Sequence, residues 1–202
     1  MISYKRIVLI TLLLLVASYL SISNFILPDP DNQLSSCFSA HRVSDDIEII
    51  SKEPHSSEHP EERERVRVFL AERLRDIGFD VMVEYYDSIG NVYASLPPVN
   101  AVSGDKPVYA LFMAHLDSRH AKVINGKVHY SKGAADDGYG LGVILELASN
   151  VVKYRDEWSQ GVKILFTDAE ETNLGGIKMA VTKRADFLSD VGYAAVGNSA
   201  AI

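Results

Sequence analysis

The hydrophobic pattern divides the chain into one long apolar stretch and a series of short amphipathic ones. Lys5 and Arg6 precede an apolar run from Ile7 through Ala17, and mostly apolar residues continue to Leu27 before Pro28. That length matches the roughly 20 residues a helix needs to cross a bilayer, so residues 7–27 are expected to be a membrane anchor. A cleaved signal peptide is the alternative, because Ser21 and Ser23 follow the apolar core at a cleavage-like spacing. In both cases the positive charge at residues 1–6 puts the rest of the chain on the non-cytoplasmic side, anchored or exported.

Residues 28–36, opened by Pro28-Asp29-Pro30, read as a linker, and residues 37–202 as one domain. Val43, Ile47 and Ile50 recur at helical spacing within Ser39–Ser51. A polar loop follows, from Pro54 to Pro60. The spacing of Val66, Phe69, Leu70, Leu74 and Ile77 then predicts a helix over Glu61–Ile77, with Gly78 as its left-handed cap. The Glu and Arg residues that alternate on its other face are expected to be solvated. Strands are predicted at Asp80–Tyr86 and Asn91–Leu96, joined by a turn through Ser88, Ile89 and Gly90.

Val108–Met113 is a nearly continuous apolar run, the pattern of a strand buried on both faces. A helix is expected over Gly140–Tyr154, a strand at Val162–Phe166, a helix over Ile177–Phe187 and a strand at Val191–Val196. This alternation predicts an α/β fold: a mixed, mostly parallel sheet with helices on both faces, preceded by the N-terminal hydrophobic helix.

Composition narrows the partners. The chain is 47% hydrophobic and 23% charged, with a net charge of -7, as expected of an ordinary globular domain. An acidic chain without a basic stripe cannot displace counterions from phosphates, so no nucleic-acid partner is expected. The single Cys37 has no disulfide partner and no metal-ligand spacing.

The candidate chemistry lies in three polar clusters at predicted strand ends or helix starts, where open α/β sheets gather function. The first is His115-Leu116-Asp117. A period of two puts both polar side chains on one side of an extended chain, so His115 can bind a metal while Asp117 orients its ring. The second is Asp136-Asp137, set among Gly133, Ala134, Ala135 and Gly138. Adjacent carboxylates repel unless a cation neutralises them, and they make Gly138-Tyr139-Gly140 a poor phosphate cradle. A solvated acidic turn is the other reading. The third is Asp168-Ala169-Glu170-Glu171, in which one glutamate can bind a metal while the other takes a proton from metal-bound water. Adjacent residues do not suit a glycosidase, whose carboxylates flank a sugar ring.

In this order, His-x-Asp, Gly-Ala-x-Asp-Asp-Gly and Asp-x-Glu-Glu resemble the zinc aminopeptidase and carboxypeptidase family, the twenty-eighth family of metallopeptidases. The resemblance spans about Phe38 to Gly197, and Pro54-His55 resembles its membrane-anchored members. It implies a zinc-exopeptidase fold, a peptide substrate and two zinc ions. His115 and Glu171 would each bind one zinc, Asp136 would bridge both, Asp117 would hold the imidazole, and Glu170 would be the general base. It also implies a cis peptide bond after Asp136.

Two further family ligands are implied, a carboxylate one strand-helix unit later and a distant histidine. Ala200 stands at the carboxylate position and the sequence stops at Ile202. The expectation is therefore a C-terminally truncated domain with two of three protein ligands per zinc and impaired activity. The alternative is a noncatalytic peptidase-fold ectodomain acting as a binding module. Ser118, Arg119 and His120 read as a surface loop or as part of a specificity pocket.

Overall fold

The computed structural model describes residues 4–23, 38–99, 107–157 and 159–196. The expected linker at 28–36, Cys37, the last four residues of the expected anchor and Ala200 lie outside them. The chain divides into two compact units, Met1–Asp31 and Asn32–Ile202. The first contains a single described helix, α1, Tyr4–Ser23. It presents Ile, Leu and Val all round. At 1.5 Å per residue its 20 residues match the thickness of a bilayer's hydrocarbon core, about 30 Å. It is the one described helix long and apolar enough to cross a membrane, and a signal sequence has the same features.

The second unit opens with α2, Ala40–Ile50, and α3, Pro60–Ile77. Ser39 caps α2 by accepting a hydrogen bond from the Arg42 backbone N–H. Pro60 starts α3, where a missing N–H costs nothing, and Gly78 ends it at φ 113°. A hairpin follows: β1, Asp80–Tyr86, and β2, Ile89–Leu96, pair antiparallel with Tyr86 opposite Ile89. The turn is therefore Asp87-Ser88, one residue earlier than the sequence suggests, and Asp87 supplies its positive φ.

Next come β3, Tyr109–His115, and a small hairpin of β4, Lys122–Ile124, and β5, Lys127–His129. An irregular turn at Ala134–Gly138 leads into α4, Tyr139–Lys153. The chain continues through β6, Gly161–Thr167, α5, Gly175–Lys183, α6, Ala185–Leu188, and β7, Val191–Val196.

The five long strands form one sheet in the order β1-β2-β6-β3-β7. β2 pairs antiparallel with both β1 and β6, while β3 pairs parallel with β6 and β7. Only β2 therefore runs against the others, and the sheet is mixed and mostly parallel as expected. Strand alternation serves two cores. Val162, Ile164 and Phe166 join the core beneath α2, α3 and α4, whereas Leu165 joins Tyr93, Leu111, Ala180 and Phe187 beneath α5 and α6. The helix expected over Ile177–Phe187 breaks at Arg184, whose φ of -127° leaves the helical region. There its guanidinium pairs with Glu84 on β1 and Asp186 and lies over the Tyr93 ring.

Glu146 on α4 is 1% exposed and pins α2 in place. Its carboxylate accepts from the Ser39 N–H and from Arg42 Nε, each at 2.8 Å. Burial pushes its pKa up, but the hydrogen bonds from Arg42 and Ser39 and the Arg42 charge hold it below the ordinary value of 4.5. The stabilisation is complete above that unfolded value and is lost as pH falls through the lower folded one. Glu146→Gln is expected to lower unfolding free energy by about 1–3 kcal/mol at neutral pH, since Arg42 is partly exposed. In urea titrations across pH, the gap between variant and wild type narrows below the ordinary carboxylate range.

Candidate metal centre

β3 and β6 lie side by side with His115 opposite Thr167, so the residues leaving their carboxyl ends emerge together. His115 ends β3 with its ring turned to the cleft. Its Nε2 lies 3.0 Å from Asp136 Oδ1 and 4.0 Å from Glu170 Oε2. Nδ1 lies 3.0 Å from the Asp117 carbonyl and 3.5 Å from Asp117 Oδ1. Both ring nitrogens thus face acceptors, which suits a doubly protonated ring. Burial works against that charge, but hydrogen bonding and charge from Asp117, with Asp137 and Asp136, raise the His115 pKa to about 9. A metal taking Nε2 must displace that proton.

Asp117, 1% exposed, has a second task. Its two carboxylate oxygens accept from the Glu170 and Glu171 N–H groups at 3.0 and 3.2 Å. It therefore holds the backbone of the glutamate pair as well as the imidazole.

The turn carrying those glutamates is fixed from below. Asp168 is fully buried and accepts from Arg67 Nη2 at 2.6 Å and the Gly90 N–H at 2.9 Å, with Arg63 Nη1 3.3 Å away. Asn91 bonds both the Asp168 N–H and the Gly176 carbonyl. At Gly176 an added Cβ would sit 2.3 Å from the Asp168 carbonyl, so only glycine allows this approach. Ala169 turns the chain at φ 55°, and Glu170 and Glu171 then face the cleft. Arg63 and Arg67 belong to the α3 face expected to be solvated, yet they are 7% and 3% exposed. The buried Asp168 carboxylate, remote in sequence, draws them in.

Asp136 and Asp137 diverge across a cis peptide bond. Asp137 turns inward, 2% exposed, and accepts from the Gly140 N–H at 3.1 Å, which caps the first turn of α4. Burial, offset in part by the His115 charge and backbone N–H groups, raises its pKa to about 6. Asp136 turns to the cleft. One oxygen meets His115, and the other accepts from Arg119 Nη2 at 2.8 Å. Arg119 Nε donates in turn to Glu171 Oε1 at 3.0 Å.

All five residues expected at the site therefore converge: His115, Asp117, Asp136, Glu170 and Glu171. Sequence reasoning passed over Arg119 as loop or pocket lining. The period of two could have found it, because His115, Asp117 and Arg119 continue one side of the chain. It also passed over the clasp in which the His55 N–H donates to Ser118 Oγ and the Ser118 N–H to the His55 carbonyl.

An imidazole nitrogen and carboxylate oxygens are donor types that zinc takes. Asp136 faces His115 with one oxygen and a guanidinium shared with Glu171 with the other. Among the described residues no group of three or more His, Cys, Asp or Glu side chains is gathered closely enough to complete one metal site.

The comparisons with known proteins bear on family and fold. The model of peptidase family M28 matches residues 91–194, more than half of the chain. The chain belongs to that family. Solved structures with similar folds include a glutaminyl cyclase from Tannerella forsythia, at 26% identity and a TM-score of 0.55 over 67% of this chain and 48% of that one. A Zn-dependent exopeptidase from Parabacteroides distasonis shares 24% identity, with a TM-score of 0.53 over the same shares of the two chains. A leucine aminopeptidase precursor from Bacteroides thetaiotaomicron shares 22%, again at 0.53 over 67% and 48%. The chain thus spans about half the length of each. No match was found among curated proteins.

Asp168→Asn would leave Arg63 and Arg67 buried against a neutral amide. Unfolding in urea is expected to show a loss of about 3–5 kcal/mol, the cost of breaking a buried ion pair from one side.

Proposed function

We propose that this chain carries residues of the catalytic centre of a zinc-dependent exopeptidase, of the aminopeptidase type, that hydrolyses peptide bonds. The observation that carries the reading is the meeting of His115, Asp136, Glu170 and Glu171 at the carboxyl ends of β3 and β6. His115 would bind one zinc, Glu171 the other, and Asp136 would bridge them. Bound zinc would supply an activated water and polarise the scissile carbonyl.

The chain's own residues do the rest. Glu170 Oε2 lies 4.0 Å from His115 Nε2 with its side chain 40% exposed, open enough to meet a substrate. Glu170 would act as the general base, holding the proton of the attacking water and passing it to the leaving amine. Asp117 keeps Glu170 in register through its N–H and keeps the His115 ring turned to Asp136. In this reading the described residues supply two protein donors per zinc.

The second reading is glutaminyl cyclisation, favoured by the 26% identity to the Tannerella forsythia cyclase. Aminoacyl anilides and a peptide with an N-terminal glutamine separate the two. Release of the anilide supports the peptidase, whereas ring closure without anilide release supports the cyclase. Glu170→Gln is expected to lower anilide hydrolysis by about 10²–10⁴-fold while zinc content, measured by atomic absorption, stays unchanged. An active variant would remove Glu170 from the mechanism.

The peptidase unit is proposed to face the non-cytoplasmic side, tethered through α1 or released after its cleavage. Carbonate extraction followed by mass spectrometry of the mature N-terminus distinguishes these. Retention in the pellet with Lys5 and Arg6 present supports the tether.

A further inference from the structure

An asparagine side chain places its carbonyl carbon where the backbone nitrogen of the next residue can close a succinimide ring on it. Folding blocks that closure wherever it ties down the amide, the nitrogen or the backbone between them. Three of the four described asparagines are blocked in this way. Asn91 is fully buried in β2, and its Nδ2 donates to the Tyr93 hydroxyl and the Gly176 carbonyl at 3.1 and 2.8 Å. Asn150 lies within α4, where its Nδ2 donates to the Glu146 carbonyl at 2.9 Å and the branched Val151 follows it. After Asn173 the nitrogen belongs to Leu174, and it donates to the Glu170 carbonyl at 3.0 Å. Asn125 is the exception. It and Gly126 form the turn between β4 and β5, at φ 52° and 74°, the positive pair of a type I′ hairpin. Both are exposed. The ladder pairs Ile124 with Lys127 across the turn, which leaves the Gly126 N–H outside it. Among the described residues no atom lies within 4 Å of the place a Gly126 Cβ would take. Neither a side chain of its own nor a neighbour hinders that nitrogen.

We infer that Asn125 is a self-modification site, converted through a cyclic imide to a mixture of aspartate and isoaspartate. The Gly126 nitrogen loses its proton to hydroxide and attacks the Asn125 side-chain carbonyl carbon. That C–N bond forms, the C–N bond of the side-chain amide breaks, and ammonia leaves with a proton taken from water. A water molecule then opens the imide at one of its two carbonyls. Cleavage on the side-chain side gives aspartate, and cleavage on the main-chain side gives isoaspartate, with the chain now running through the former side chain. The net change is water in and ammonia out, so the inference is independent of the zinc and peptidase readings. Either product puts a carboxylate on the hairpin tip. Isoaspartate also lengthens the backbone by one methylene, which a two-residue turn cannot absorb without breaking the pairing around it. β4 and β5 share only three residue pairs. The hairpin joins the cleft through His120, whose Nε2 lies 3.0 Å from Ser57 Oγ and 3.1 Å from Thr172 Oγ1, the residue after Glu171. The modification therefore alters the rim of the candidate site as the protein ages.

The test ages the full chain in detergent micelles, in mildly acidic and mildly alkaline buffer. Tryptic digestion and mass spectrometry with electron-transfer fragmentation, which separates isoaspartate from aspartate, follow the products. A sample aged in guanidinium chloride gives the conversion of each asparagine in the unfolded chain. The peptide of residues 123–127 is expected to gain one mass unit and split into two products, faster in the alkaline buffer and at nearly the rate of the unfolded chain. Peptides carrying Asn91, Asn150 and Asn173 should convert in the denaturant and stay intact in the folded chain. Gly126→Ala should slow conversion in both states, because the added Cβ crowds the attacking nitrogen. Conversion of the 123–127 peptide in the denaturant but not in the folded chain overturns the inference. So does a gain of mass that yields aspartate alone, which is the mark of direct hydrolysis without a ring.

Discussion

The structure depends above all on a carboxylate that does no chemistry. Asp168 is fully buried at the end of β6, held by Arg67 and Gly90, with Arg63 beside it and Asn91 on its backbone. This cluster ties α3, β2 and the start of α5 to one point, and the turn that exposes Glu170 and Glu171 begins there. From the other side Asp117 grips the two glutamate N–H groups. Two carboxylates thus fix the backbone so that the next two can stay available. A buried ion pair adds little stability compared with a well-packed apolar substitute, so its value here lies in geometry.

The same crowding explains the electrostatics around His115. The cleft reduces its negative charge in three ways: a proton retained on the imidazole, a raised pKa on buried Asp137, and the guanidinium of Arg119. Each lowers the repulsion among the carboxylates gathered there.

Much of this was legible because short-range rules dominate it. The period of two in Val162–Phe166, the stripe of α3 and the Gly78 cap depend only on local geometry, and the three polar clusters lie where strands must end. What escaped needed contacts remote in sequence. Arg63 and Arg67 look like solvated helix charges until Asp168, about 100 residues later, is placed beneath them. The break at Arg184 follows from Glu84 on β1, which no pattern within residues 177–187 could reveal. The hairpin of β4 and β5 is the exception: Asn125-Gly126, both at positive φ, is a local signal of a tight turn that was passed over.

That hairpin also has a kinetic meaning. Its strands are three residues each, and Val123, Ile124 and Val128 are exposed. It is bounded by small contacts: Glu58 accepts from the Ala121 N–H, His120 meets Ser57 and Thr172, and Tyr130 packs edge-on against His59. The segment thus buries almost no apolar surface, and segments of that kind open at a small fraction of the global unfolding free energy. Hydrogen exchange there is expected to run faster than in β3 and β6. The protein combines a slow scaffold with a fast rim, and the rim begins seven residues after His115.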